Sequence, residues 1–199
     1  TGFGFGPIQA GLFVNEAYKS GNFERIVVAE IDPEIVKAVR DNNGTVYVNV
    51  ASSDSIKQQK IEGIEIYNPT VETDRRQLLK ALSESTEICT SLPSVNFYDA
   101  GENSMASLIR GGLEKSIAPA TIIYTAENNN HAAEILKEKI GEFRNVRFLN
   151  TVIGKMSQVV TDLQQIKQKK LKPMASGIQR AFLVEEFNKI MVTKAGING

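Results

Sequence analysis

The chain has 199 residues, enough for one large domain, and its 23 Lys+Arg balance 23 Asp+Glu, so nothing in the charge marks a binder of nucleic acid or other polyanions. No apolar run reaches membrane-spanning length, which excludes a helical span and a membrane partner, and no basic-then-apolar leader stands at the start. One cysteine (Cys89) and one histidine (His131) exclude an internal disulfide and an ordinary zinc site, so a cytoplasmic protein without a metal is expected.

The chain opens TGFGFG and turns at once to PIQAGLFVNEAYKSG, which predicts a helix with Pro7 in its first turn and Gly21 past its end. RIVVAEI has the length and composition of a strand buried on both faces. DPEIVKAVRDNNG predicts a helix with Asp32 as N-cap, Pro33 at N1 and Asn43-Gly44 as the stop. TVYVNV alternates and is rich in β-branched residues, a strand, and IEGIEIYN is expected as another, paired with it or close by. RRQLLKALSES is a helix, EICTSL a short buried strand, and FYDAGENSMASLIRGGLEKS mostly helix. ATIIYTAEN is a strand, HAAEILKEKIGEF an amphipathic helix and NVRFLNTVIG a further strand. The basic stretch ending at Lys172 reads as an exposed helix face or linker, and SGIQRAFLVEEFNKIMV as a new amphipathic helix. Strand and helix alternate through the middle, which predicts an α/β fold of the doubly wound kind with a mostly parallel sheet. The expected division is residues 1–175 as one domain, with 176–199 as the start of a C-terminal domain otherwise absent.

Gly4-Phe5-Gly6, with Ala10 at the third small position, stands between a first strand and a helix. In a dinucleotide-binding turn, Gly4 would allow the tight turn and Gly6 would let a pyrophosphate approach the backbone. Ala10 would let the helix pack close to the sheet. The backbone of Phe5, Pro7 and Ile8 would then face the phosphates at the helix N-terminus. Glu30 ends the next strand, where a carboxylate would hold an adenosine ribose diol. Glu30 and Asp32 would repel a 2′-phosphate, and no arginine is expected beside them, so NAD is favoured over NADP. Only Thr1, Gly2 and Phe3 precede the motif, so the first strand reads as truncated. Alone, the glycine pattern is weak and compatible with a plain loop, as Glu30 is with a solvated strand end.

Later segments carry a family likeness. ATIIYTAENNNHAAEIL resembles the part of the polyol dehydrogenases where a strand ends in a Glu/Asp-Asn pair, here Glu127-Asn128. RFLNTVIGKM resembles the segment after the next strand, and AFLVEEFNKIMV the entry to those enzymes' C-terminal domain. With GFGPIQAG and AEID, the chain resembles the N-terminal Rossmann domain of the mannitol dehydrogenase and mannitol-1-phosphate 5-dehydrogenase family. The resemblance implies an NAD-dependent oxidoreductase that interconverts a polyol or polyol phosphate and the corresponding ketose. It implies that Asn128 helps hold the reacting oxygen and that the loop at Ser91 and Leu92 passes near the cofactor. It also implies that a lysine in a C-terminal helical domain, absent here, is the general base. The chain alone is then expected to bind nucleotide and to catalyse poorly or not at all. Where the family has Asp-Arg, this chain has Gly154-Lys155, and Lys155 could still meet a phosphate or carboxylate as a point charge.

Blander readings stand beside these. Asn128 could be a turn or capping residue within Asn128-Asn129-Asn130, Glu127 a surface residue at a strand end, and Ser91-Leu92 an ordinary turn. Cys89 reads as buried packing, His131 as a surface or capping residue, and Tyr124, Phe148 and Met156 as core or crevice lining. Two other functions fit the same residues: a non-catalytic dinucleotide-binding module, and another Rossmann dehydrogenase acting on a sugar phosphate or hydroxy acid.

Overall fold

The computed structural model describes residues 1–101 and 103–194. In chain order, β1 (Gly2–Phe3) leads into a helix that runs through a π-helical stretch (Gln9–Val14) into α1 (Asn15–Ser20), closed by Gly21 at φ 65°. Next come β2 (Ile26–Ala29), α2 (Pro33–Asp41), β3 (Val46–Ala51), β4 (Ile56–Ile61) and β5 (Ile64–Tyr67). Then follow α3 (Glu72–Glu84), β6 (Glu87–Thr90), α4 (Met105–Leu113), β7 (Thr121–Thr125), α5 (Ala132–Ile140) and β8 (Val146–Gly154). The described chain ends with β9 (Ser157–Val160), α6 (Leu163–Gln168), β10 (Ala181–Glu185) and β11 (Lys189–Val192). The helix ends follow from their residues: Asp32 caps α2 by accepting the Glu34 N–H, with Pro33 behind it, and Ser104 caps α4 by accepting the Ser107 N–H.

The chain divides into two compact units. One comprises Gly2–Asn68 and Gly154–Lys189, the other Thr1, Pro69–Ile153 and the residues from Ile190 onward. In the first unit β2 pairs in parallel with both β1 and β5, the register setting Gly2 against Val28 and Val28 against Ile66. A four-stranded sheet in the same unit has the order β4-β3-β10-β9. There β10 is parallel to β3 and antiparallel to β9, and β3 is antiparallel to β4. Both sheets contribute to one apolar core that includes Val28, Ile66, Val46, Phe182 and Val184. Gly11 permits this packing, because a Cβ there would lie 2.5 Å from Val184. Asn49, fully buried, ties β3 to the chain around β10 through bonds to the Lys172 and Phe182 carbonyls and the Lys172 N–H.

In the second unit the strand order is β11-β8-β7-β6, with β6, β7 and β8 parallel. Arg110 on α4 donates to the Ile140 carbonyl at 2.8 Å, closing the C-terminal end of α5.

Two expectations are corrected. IEGIEIYN is not one strand beside TVYVNV: the chain turns at Gly63, Ile61 ends β4, and β5 pairs with β2 instead. The antiparallel partner of β3 is IKQQKI, which is largely exposed and carries no apolar alternation. The segment expected as a C-terminal helix is β10 and β11. Ala181, Phe182 and Val184 are at most 1% exposed, an apolar run filling a core. Residues 195–199 of the expected second domain lie outside the described residues.

Candidate functional site

The glycine turn is built as the sequence suggests. Gly4 leaves β1 at φ 78°, a left-handed conformation that a side chain would strain, and its N–H reaches the Ala29 carbonyl at 2.9 Å. The Ala10 N–H then bonds the Gly6 carbonyl at 2.9 Å, starting the helix. A Cβ built on Gly6 meets nothing within 4 Å, so this face of the turn is open to a ligand. Phe5 turns the other way, 1% exposed, and packs edge-on against Phe182 with ring centroids 5.8 Å apart. Ala10 is fully buried in the core, and Gly11 beside it, not singled out from the sequence, also lets the helix pack close, against Val184.

Glu30 closes on this turn. Its Oε2 accepts the Phe5 N–H at 2.6 Å, and its Oε1 accepts the N–H groups of Ile31 at 2.7 Å and Asp32 at 2.9 Å. A carboxylate offers about four acceptor positions, so this one has room for roughly one more donor. Beside it, Asp32 accepts the Glu34 N–H through Oδ1 and faces Arg180 through Oδ2, with Nη1 at 3.2 Å. The expectation that no arginine stands near these acids is therefore corrected, since the fold returns Arg180 from the far end of the chain.

Lys155 belongs to the same unit. Its ammonium donates to the carbonyls of Glu185 at 2.6 Å and Phe187 at 3.2 Å, and burial pulls its pKa down from the usual lysine value. It thus holds the end of β10. Gly154 beside it packs against Phe187, and Met156, read as core or crevice lining, is 76% exposed.

The second unit holds the other candidates. Glu127 is 4% exposed, not a surface residue, and its carboxylate accepts the Thr90 hydroxyl at 2.8 Å, the Leu92 N–H at 2.8 Å and the Tyr98 hydroxyl. Burial, then the neighbouring Glu127 charge, pushes the Tyr98 hydroxyl far above the usual tyrosine range. Glu127 thereby fixes the loop after β6 that carries Ser91 and Leu92. Thr90 and Tyr98 complete this network and were not singled out from the sequence. Asn129, not Asn128, braces the turn before α5, because its Oδ1 accepts the His131 N–H at 2.8 Å, while α5 itself starts at His131 without a side-chain cap. Asn128 is exposed and makes no side-chain hydrogen bond among the described residues. His131 is exposed and Cys89 half-buried. Asn150 on β8 accepts the Ala133 N–H at the start of α5 and donates to Glu134.

Among the described residues no helix is long and apolar enough to cross a membrane. No family model matches the chain, and no curated protein does. Solved structures do. Pseudomonas fluorescens mannitol 2-dehydrogenase, solved as a ternary complex with NAD and D-mannitol, is similar with a TM-score of 0.71 and 13% identity over the whole of this chain and 49% of its own. Octopine dehydrogenase, solved with NADH and L-arginine, is similar with a TM-score of 0.56 and 10% identity over 98% of this chain and 42% of its own. The likeness shows the fold, a mixed α/β fold of the Rossmann type, and the chain spans about half the length of these two proteins.

Proposed function

We propose that this chain is the NAD-binding part of a dehydrogenase that interconverts a polyol or polyol phosphate and the corresponding ketose. The observation that carries the reading is the turn itself. Gly4 has a positive φ, Gly6 offers an open face, a helix follows at once, and Glu30, just after β2, bonds the turn. Such a turn presents backbone N–H groups to a pyrophosphate while keeping side chains out of its way. The two solved proteins of this fold were captured with NAD and NADH, which supports the choice of cofactor.

In this reading NAD, when bound, would supply the hydride acceptor, and the residues of this chain would hold and orient it. Gly4, Phe5 and Gly6 shape the phosphate turn, and Pro7 and Ile8 begin the helix that faces it. Glu30 does two things. It braces the turn through Phe5, and its remaining acceptor position takes one ribose hydroxyl. Asp32 adds negative charge beside the ribose, which disfavours a 2′-phosphate. Glu127 is a positioning residue that sets the loop at Ser91 and Leu92, which the resemblance assigns to the cofactor. Asn128, whose side chain the turn bond of Asn129 leaves unengaged, is assigned to the reacting oxygen. Lys155 is engaged with carbonyls, so it serves a substrate phosphate only by giving those up. The proton-accepting lysine is assigned to residues outside this chain, and the chain alone is expected to bind the nucleotide without turning over a polyol.

Calorimetric titration with NAD, in wild type and Gly6→Val, tests this. Saturable binding in the wild type, lost in a variant of unchanged melting temperature, is expected. A wild type that ignores NAD, or a variant that binds it equally well, refutes the reading.

A further inference from the structure

The acids beside the turn carry a partner that the proposed reading does not use. Arg180 faces Asp32 at 3.2 Å, and the two side chains are only 28% and 31% exposed. Its backbone is well held: the Met174 N–H bonds the Arg180 carbonyl at 2.7 Å, and Met174 is fully buried in the core. Asn42 at the end of α2 bonds the Ser176 carbonyl at 3.0 Å, and Ala181, next to Arg180, is paired in register with Val160. The guanidinium therefore projects from a fixed base toward Asp32, the N-cap of α2, two residues beyond Glu30.

Its neighbours differ in what they can release. Glu30 is committed to three backbone N–H groups. Asp32 engages Glu34 through one oxygen and Arg180 through the other. A guanidinium has five N–H donors in a planar fork that suits a phosphate as well as a carboxylate. Asp32 and a ribose 2′-phosphate would compete for the same fork. Glu30, Asp32 and Glu34 together outweigh the single positive charge, which favours a cofactor without that phosphate.

We propose that Arg180 is the residue that determines cofactor choice: held on Asp32 it leaves the site selective for NAD, and released from Asp32 it becomes the ligand for the 2′-phosphate of NADP. The proposal rests on the dinucleotide-binding reading above. Neutralising Asp32 then does more than remove a repulsion, because it frees a cation already in place.

The test is a double-mutant cycle on the whole chain, titrating NAD and NADP against wild type, Asp32→Asn, Arg180→Ala and the double variant. Asparagine is as good an N-cap as aspartate, so Asp32→Asn keeps the helix start. Asp32→Asn is expected to tighten NADP binding by about tenfold or more relative to NAD, and the double variant is expected to lose that gain. Arg180→Lys beside Asp32→Asn provides a second route, and should keep only part of the gain because an ammonium lacks the fork. No gain for NADP in Asp32→Asn, or a gain that survives loss of Arg180, overturns the proposal while NAD binding leaves the parent reading standing. Failure of every form to bind either nucleotide overturns both.

Discussion

The Glu30 carboxylate accepts the Phe5 N–H at 2.6 Å, so the acid ending the second strand is fastened to the glycine turn that ends the first. The same carboxylate collects the N–H groups of Ile31 and Asp32, which makes it a structural anchor as well as a candidate ribose ligand. Replacing Glu30 with Gln keeps one acceptor oxygen and sets an amide against the remaining N–H groups. We expect Glu30→Gln to cost about 1–3 kcal/mol of stability, the range for breaking bonds to a charged group, and to weaken NAD binding as well. Chemical denaturation and calorimetry on one preparation read both effects, and unchanged stability would mean the carboxylate does not brace the turn.

The two glycines of the turn are expected to respond differently. Gly4 is at φ 78°, so Gly4→Ala should destabilise the fold by about 1–2 kcal/mol. Gly6 has open space where a Cβ would go, so Gly6→Ala should melt close to wild type while NAD binding weakens. Thermal melts paired with titrations separate strain from blocked access; equal melts for the two variants would remove the distinction.

Tyr98 and Glu127 predict a dependence on pH. The Tyr98 hydroxyl is buried and its pKa lies above the ordinary value of 10.0, so the folded state holds that proton more tightly than the unfolded state. The stability this represents is fully present below pH 10.0 and is lost as pH rises above that value, where only the unfolded chain ionises. Tyr67 and Tyr124 shift the same way, chiefly by burial, so the loss is shared. Tyr98→Phe should show a shallower alkaline loss and, at neutral pH, a cost of about 1–3 kcal/mol for the donor withdrawn from Glu127. Denaturation midpoints at neutral and alkaline pH supply the comparison, and parallel curves for the two proteins would sink the idea.

Asn49 is the polar staple of the four-stranded sheet. Its amide satisfies two carbonyls and one N–H with no exposure to water. Asn49→Leu leaves all three groups unanswered and is expected to cost at least about 3 kcal/mol. Urea denaturation measures it, and a cost under about 1 kcal/mol would show that the carbonyls find other donors.

The first half of the fold was readable because its signals are local. Asp32-Pro33 writes a helix start, Gly21 and Asn43-Gly44 write stops, and IVVA is too short and too apolar to be anything but an inner strand. Strand β4 was unreadable because IKQQKI faces water and follows no apolar alternation. AFLVEEFNKIMV misled because its apolar residues fit a helical spacing as well as two short strands, and only tertiary pairing chooses. In the candidate site the turn and Glu30 were visible as a motif. Arg180 was not, since nothing near residue 32 in the chain announces a partner that only the return of β10 supplies. The same holds for Tyr98: an aromatic in a loop gives no sign that its hydroxyl is destined for Glu127.

One consequence follows from strand β10 lying parallel to β3. The Asn49 side chain meets the carbonyl of Phe182, 133 positions further along the chain. Contacts of such long range close late, since the loop entropy must be overcome before they are rewarded. During synthesis the β3–β4 hairpin emerges long before its partner, with one edge of β3 unfilled and prone to wrong pairing. The lysines of IKQQKI guard the outer edge of that hairpin but not the inner one. Assembly of this half of the molecule is therefore expected to be slow and to wait for the last strands, and a ribosome stalled before residue 181 should release a chain that is sticky at β3.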